Sequence, residues 1–225
     1  LAGPLWQETD EQIISLEQRV LLAEQGLRVG MIHQGSSAAL QKLLTSSDRC
    51  TASRLSTRGN EETTWSLTKR PEPFDILLVS GTQQLAQADL GLKIRLRTLD
   101  DGRTRIRLEP AIQHGEASHQ PRPKEDHSGW ELDRKPPEIR LSELALEFDL
   151  GPQDFLIIGG SADQPGTFGH LSFVDRGAHQ QRVLVIRAVQ RPALPMSLVL
   201  SGPVPLALQT LWPASPATPP RAAKP

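Results

Sequence analysis

Apolar residues recur at three- and four-residue intervals near the start of the chain and at every second position from about residue 62 onward. The first pattern predicts helix and the second predicts half-buried strand. Ile13, Leu16, Val20 and Leu21 mark one helical stripe, with Thr9 or Asp10 placed to cap it and Gly26 where a helix-ending glycine belongs. Leu27 to Ile32 reads as a strand. Ser36 or Ser37 then caps a second helix through Leu40, Leu43 and Leu44. This helix–strand–helix unit, residues 1–50, is too small to hold a core of its own and is expected to dock on the β-rich remainder of the chain.

Residues 51–62 are polar and read as loop. Thr64 to Lys69 and Phe74 to Val79 are strand candidates separated by Pro71 and Pro73. The clearest element runs from Gly91 to Pro110. Leu92, Ile94 and Leu96 alternate with Lys93, Arg95 and Arg97. Asp101-Gly102 makes the turn, and Thr104, Ile106 and Leu108 then alternate with Arg105, Arg107 and Glu109. Residues 113–137 hold His114, His119, His127 and four prolines and read as a long exposed loop. Alternation resumes from Leu141 to Leu150, with Leu144, Leu146 and Phe148 opposite Glu143, Glu147 and Asp149. Phe155 to Ile158 is a short apolar strand ending at Gly159-Gly160, and Val183 to Val189 reads as a last buried strand. Beyond Arg191 prolines dominate, and Pro213 to Pro225 is expected to be disordered. The predicted class is therefore α+β, a small helical N-terminal unit (1–50) packed on a mainly antiparallel β-sheet or β-sandwich (60–190), with a Pro-rich tail (191–225).

Composition narrows the functional classes. The 225 residues carry a net charge of −1, which gives no global attraction to nucleic acid or to an anionic membrane. A single cysteine, Cys50, excludes an intrachain disulfide. No apolar run is long enough for a membrane-spanning helix. The chain starts at Leu1 rather than methionine, as a processed product or an excised piece would.

Three features bear on chemistry. Lys93, Arg95, Arg97, Arg103, Arg105 and Arg107 share the outer face of the hairpin and form the candidate interaction surface. No aromatic residue is interleaved for base stacking, so nucleic acid is not the expected partner. The plainer reading is a solvated sheet face balanced by Glu143, Glu147 and Asp149 of a neighbouring strand. His114, His119 and His127, with Glu116, Glu125 and Asp126, match no metal-ligand spacing and sit on a proline-broken segment, so no metal is expected. His33, His170 and His179 are isolated and read as solvated loop residues. Cys50 has no nucleophile motif around it, and no phosphate-binding glycine loop or GxSxG motif occurs, so neither a catalytic residue nor a cofactor is expected. The absence of tyrosine argues against a carbohydrate-stacking groove.

The order of elements from Gly91 to Val189 resembles the C-terminal β-domain of bacterial secretins, the outer-membrane rings of type II and type III secretion and of type IV pili. The pieces that carry it are Gly91-Leu92-Lys93-Ile94, Asp101-Gly102, Leu108-Glu109-Pro110 and Leu156-Ile157-Ile158-Gly159-Gly160. Pro165 to Phe173 is similar to the gate segment, and Leu184-Val185-Ile186 to the closing strand. The whole layout also resembles uncharacterised secreted proteins of planctomycete-type bacteria. The resemblance implies a non-catalytic, extracytoplasmic module of the envelope or export pathway that binds a protein partner or itself through strand edges, and leaves outer-membrane association open. Two rivals remain at this point. A peptide- or ligand-binding β-sandwich would show a concave apolar pocket, and a hydrolase would draw on His114, Glu116 and His119.

Overall fold

The computed structural model describes residues 3–33, 37–46, 50–53, 55, 61–123, 129–175 and 180–189, and within them the side chains of all but 118–123, 130–134 and 180. After a single turn, Pro4–Gln7 (α1), the first full helix is Leu16–Glu24 (α2). Its N-cap is Ser15, whose hydroxyl accepts from the Gln18 N–H at 3.2 Å, not Thr9 or Asp10. Asp10 instead pairs with Met31 through two backbone hydrogen bonds of 2.8 and 2.9 Å, which holds residues 9–14 out of the helix. The buried stripe is correspondingly Ile14 and Leu22, while Leu16 and Val20 are exposed. Gly26 ends the segment at φ +66°, a left-handed conformation that favours glycine.

Leu27–Ile32 is strand β1, and Ala38–Leu44 is helix α3, capped by Ser37, which accepts from the Leu40 N–H at 2.9 Å. The next strands are β2 Glu62–Arg70, β3 Phe74–Leu78, β4 Gly81–Leu85, β5 Ala88–Thr98 and β6 Thr104–Gln113. After them come β7 Ser118–Pro123, β8 Trp130–Lys135 and β9 Glu138–Arg140. A 3₁₀ turn at Ser142–Leu144 precedes β10 Leu146–Leu150 and β11 Phe155–Gly160. The last elements are helix α4 Phe168–Phe173 and strands β12 Val174–Asp175, β13 Gln180–Gln181 and β14 Val183–Arg187.

Two antiparallel sheets dominate. One has the order β10-β6-β5-β2, with β9 pairing the end of β6, and the other has the order β1-β11-β14. The N-terminal segment thus docks by contributing β1 to a sheet. The β5–β6 hairpin forms with Ile94 opposite Leu108 and Leu96 opposite Ile106. Its loop closes through Leu99 N–H to Arg103 O (2.8 Å) and Gly102 N–H to Leu99 O (3.0 Å), with Gly102 at φ +83°. This is a three-residue connection ending in a left-handed glycine.

Leu92, Ile94, Ile106, Leu108, Leu146, Phe148 and Leu150 line the inner face of the larger sheet. They share one core with Leu27, Val29 and Met31 of β1 and Leu156 and Ile158 of β11. The opposite face of the smaller sheet is also covered. There Ile32, Phe155 and Ile157 pack on Leu5 and Leu40 of the helical layer. Burial on both faces explains why β11 is apolar without alternation. Helix α4 is buried along its whole length. Its seat is made by glycine: a Cβ on Gly160 would overlap the carbonyl oxygen of Gly169, and one on Gly169 would overlap that of Gly26.

The structure corrects several expectations. Residues 113–137 are not one loop, because β7 and β8 pair as a ribbon from Ser118–Lys135 to Pro123–Trp130. Pro121 and Pro123 fit because each strand of a two-stranded ribbon has a free side that needs no N–H donor. The segment from Leu141 to Leu150 is strand only from Leu146. The last strand stops at Arg187 and is not buried: Val183 to Ile186 are half-buried on a sheet edge, and Val189 is exposed. His170 lies in buried α4 rather than in a solvated loop. Residues 1–190 form one compact unit. The tail from 191, including the segment from Pro213 expected to be disordered, lies outside the described residues, as do His127 and His179.

Candidate interaction surface

The outward face of the larger sheet is a lattice of charges set by register. Strand pairing puts Arg95 opposite Arg107 and Arg97 opposite Arg105. Like charges in that position repel. Acids of the outer strands flank these pairs, Glu147 and Glu62 on the two sides of Arg107 and Arg95, and Asp149 on the Arg105 side of the other pair. Arg105 grips Asp149 with two hydrogen bonds, Nε to Oδ1 at 2.7 Å and Nη2 to Oδ2 at 2.9 Å. Those hydrogen bonds, reinforced by the arginine charge, hold the Asp149 carboxyl below its ordinary range and push the Arg105 guanidinium up. Arg103 makes a local pair with Asp101 at 2.7 Å, and that hydrogen bond holds the Asp101 carboxyl down. Arg97 and Arg107 are exposed and form no ion pair among the described residues.

Lys93 departs from the expected pattern. It is 9% exposed, the buried hub of a charged network on the outer face rather than a solvated cation. Its Nζ donates to Glu62 and lies 2.9 Å from both Glu62 and Glu138. Arg140 reaches the same two carboxylates at 2.9 and 2.8 Å and lies 4.0 Å from Glu109. Buried Glu109 faces Lys93 across the hairpin and accepts from the Ser142 hydroxyl at 2.8 Å. Arg95 adds a contact to Glu62 at 3.3 Å. Lys93, Arg95 and Arg140 thus meet Glu62, Glu109 and Glu138, three cations against three carboxylates. Burial alone would raise the Glu62 carboxyl, but the Lys93 hydrogen bond and the charges of Lys93 and Arg140 outweigh it and hold it down. Glu138 is likewise raised by burial and lowered further by its bonds from Lys93 and Arg140.

The expected acidic partner strand accounts for one cation, Arg105. Its third acid, Glu143, sits on the 3₁₀ turn, where its backbone carbonyl accepts from Gln18 Nε2 at 3.0 Å. Lys93 and Arg95 find their acids on β2 and β9 instead. The sequence held a trace of this arrangement, because Glu138 and Arg140 flank Ile139 at strand spacing and Glu109 follows from the hairpin register.

A second surface is the outer edge of β14. The opposite edge of this sheet is partly closed by the Asp10–Met31 bridge. Among the described residues, no backbone hydrogen bond reaches β14 from beyond β11. Its apolar run, Val183 to Ile186, is half-buried.

Among the described residues the remaining candidates are not brought together, and Glu125, Asp126 and His127 lie outside them. His114 donates its backbone N–H to Pro137 O at 3.0 Å, Glu116 is exposed, and the side chain of His119 is not among those described. His33 contacts Asp154 at 3.0 Å on the surface. Cys50 is a free, half-buried thiol. Among the described residues no group of three His, Cys, Asp or Glu side chains is placed to hold a metal, and no helix is long and apolar enough to cross a membrane. Comparison with family models, curated proteins and solved structures finds no match.

Proposed function

We propose that this chain is a non-catalytic, extracytoplasmic module of a bacterial envelope or export assembly, joined to a protein partner or to further copies of itself by strand addition. The observation that carries the reading is the β14 edge, which presents half-buried Val183, Leu184, Val185 and Ile186 beside a strand border that has no backbone hydrogen bond among the described residues. Such an edge pairs with an extended segment through main-chain hydrogen bonds, while alternate side chains select the partner. The secretin resemblance supports the same reading, its pieces falling on β5, β6, β11 and β14 and its gate-like piece on the turn before α4 and α4 itself. The charged sheet face contributes less, because most of its cations are already paired with neighbouring acids.

A photo-crosslinking residue placed in turn at Leu184 and Val185, with exposed Glu72 as control, tests this in cells. Adducts of defined mass from the β14 positions and none from Glu72 are expected. Adducts from neither β14 position, or equal labelling at all three, would sink the proposal.

A further inference from the structure

The border of β14 is apolar on both faces of its sheet. Leu184 and Ile186 pack against the core shared by the two sheets, opposite Ile158 and Leu156 of β11. Val183 and Val185 turn to the other face and pack on the cluster of Leu5, Ile32, Leu40, Phe155 and Ile157. The four are half-buried, whereas Leu156, Ile157 and Ile158, one strand inward, are buried. Neighbouring strands lie about 4.7–4.9 Å apart. Burial thus gives out within one strand spacing, and it does so on both faces at once.

A strand added at this border turns alternate side chains toward each of the two apolar clusters. Strands covered on both faces are apolar at successive positions, as β11 is. A segment with strict alternation would set polar side chains against one cluster. Charge bears on the ends of the run. Arg182 and Arg187 bracket it, both exposed and neither in an ion pair among the described residues. Arg187 keeps its Nε on Pro152 O at 3.2 Å and its guanidinium over the Phe155 ring at 5.4 Å. Two copies of β14 paired antiparallel over the apolar run would set Arg182 opposite Arg187, and like charges directly opposite are destabilising. The border therefore favours a foreign segment bearing carboxylates over a second copy of this strand.

We propose that the occupant of the β14 border is an extended segment of a protein partner with four successive apolar residues and a carboxylate at each end. The inference rests on the strand-addition reading and specifies its partner. Main-chain hydrogen bonds hold the segment to β14. Its apolar side chains extend both clusters by one strand, beside Leu184 and Ile186 on one face and beside Val183 and Val185 on the other. Its carboxylates meet Arg182 and Arg187, and because there is one at each end the match holds for either strand direction.

Three labelled peptides probe the full chain by fluorescence anisotropy. They are acetyl-Asp-Asp-Val-Ile-Val-Leu-Asp-Asp-amide, its alternating form with Val-Ser-Val-Ser in the middle, and its form with lysine in place of every aspartate. The first is expected to bind, and to form an adduct with the photo-crosslinking residue at Leu184 but not at Glu72. The alternating peptide is expected to bind about tenfold or more weakly, since one apolar face stays open. The lysine-flanked peptide is expected to bind roughly threefold or more weakly at low salt and to lose that deficit at high salt. The inference is overturned if either variant peptide binds as well as the first, or if none binds at millimolar concentration. It is also overturned if the first peptide labels Glu72 as readily as Leu184, or if Leu184 crosslinks two copies of the chain to each other. Adducts from β14 in cells together with a failed peptide ranking would leave strand addition standing and remove only this partner. No adducts from β14 in cells would remove both.

Discussion

Gly160 and Gly169 meet backbone to backbone, with the Gly169 carbonyl oxygen occupying the place where a Cβ on Gly160 would stand. Gly169 in turn sits against Gly26 O and donates its N–H to Gln25 O at 2.9 Å, and Ser161 N–H donates to Gly26 O at 2.7 Å. The three glycines thus join the end of β11, the start of α4 and the turn into β1 at one point.

Alanine at Gly160 or Gly169 has to push backbone aside rather than a flexible side chain. Each change is expected to cost about 1–3 kcal/mol, the range for overpacking a filled interior. Gly3→Ala meets nothing within 4 Å and is expected to be near neutral. Urea denaturation of the three variants checks the order, and a neutral Gly160→Ala would contradict the close approach.

The network around Lys93 predicts acid sensitivity. The Glu62 and Glu138 carboxyls lie below their ordinary value of 4.5 in the folded chain. Near that value the unfolded chain therefore binds more protons than the folded one. The stabilisation is fully present above pH 4.5 and is lost as pH falls through the lower folded values. The thermal midpoint is expected to fall with pH in that window, and Glu138→Gln is expected to flatten part of the slope. An identical pH profile for Glu138→Gln would remove this carboxyl from the account.

What was legible in the sequence was local. The faces of the hairpin followed from strict alternation, although a two-residue Asp101-Gly102 turn would have set the register one residue off the three-residue connection found, and the Ser36-Ser37 pair announced α3 because a cap and its helix are neighbours. The Lys93 network was not legible as a whole, because Glu62 and Glu138 reach Lys93 from strands distant in sequence, and no periodicity states which strands will pair. The N-terminal stripe held only in part, since Ile13 and Leu21 pack against the core but Leu16 and Val20 do not. Leu16 and Val20 have helical spacing, but the Asp10–Met31 bridge fixes where the chain enters and turns Ile14 and Leu22 inward instead. Prolines hid the β7–β8 ribbon, since proline counts against a strand unless one side of it is known to be free.

The hairpin sets a direct contrast between its two faces. Ile106 is 1% exposed and Ile94 is 4% exposed, so each alanine substitution leaves a cavity and is expected to cost about 2–5 kcal/mol. Arg95→Ala removes a contact to Glu62 that Lys93 and Arg140 also serve, and is expected to cost less than about 1 kcal/mol. Chemical denaturation of all three would expose a reversed face if the arginine change were the most damaging.

Lys93 and Arg97 lie on the same face of β5 and separate two explanations for its charges. If the face is only a solvated lattice, both alanine substitutions should be mild. Lys93, however, is shut in by two carboxylates at 2.9 Å that would be left to Arg140 and, for Glu62, Arg95, while exposed Arg97 forms no ion pair among the described residues. Hydrogen bonds to charged groups contribute about 1.5–3 kcal/mol each, and stranding a buried partner adds to the loss. Lys93→Ala is therefore expected to destabilise by about 2–3 kcal/mol, reduced from a fully buried pair because both carboxylates keep some exposure. Arg97→Ala is expected to stay within about 0.5 kcal/mol, as surface substitutions do. A Glu138→Gln background should shrink the Lys93 effect and leave the Arg97 effect unchanged, since a double-mutant cycle reports only residues that interact. Equal effects of Lys93→Ala in both backgrounds would show that the Lys93–Glu138 contact does not contribute to stability.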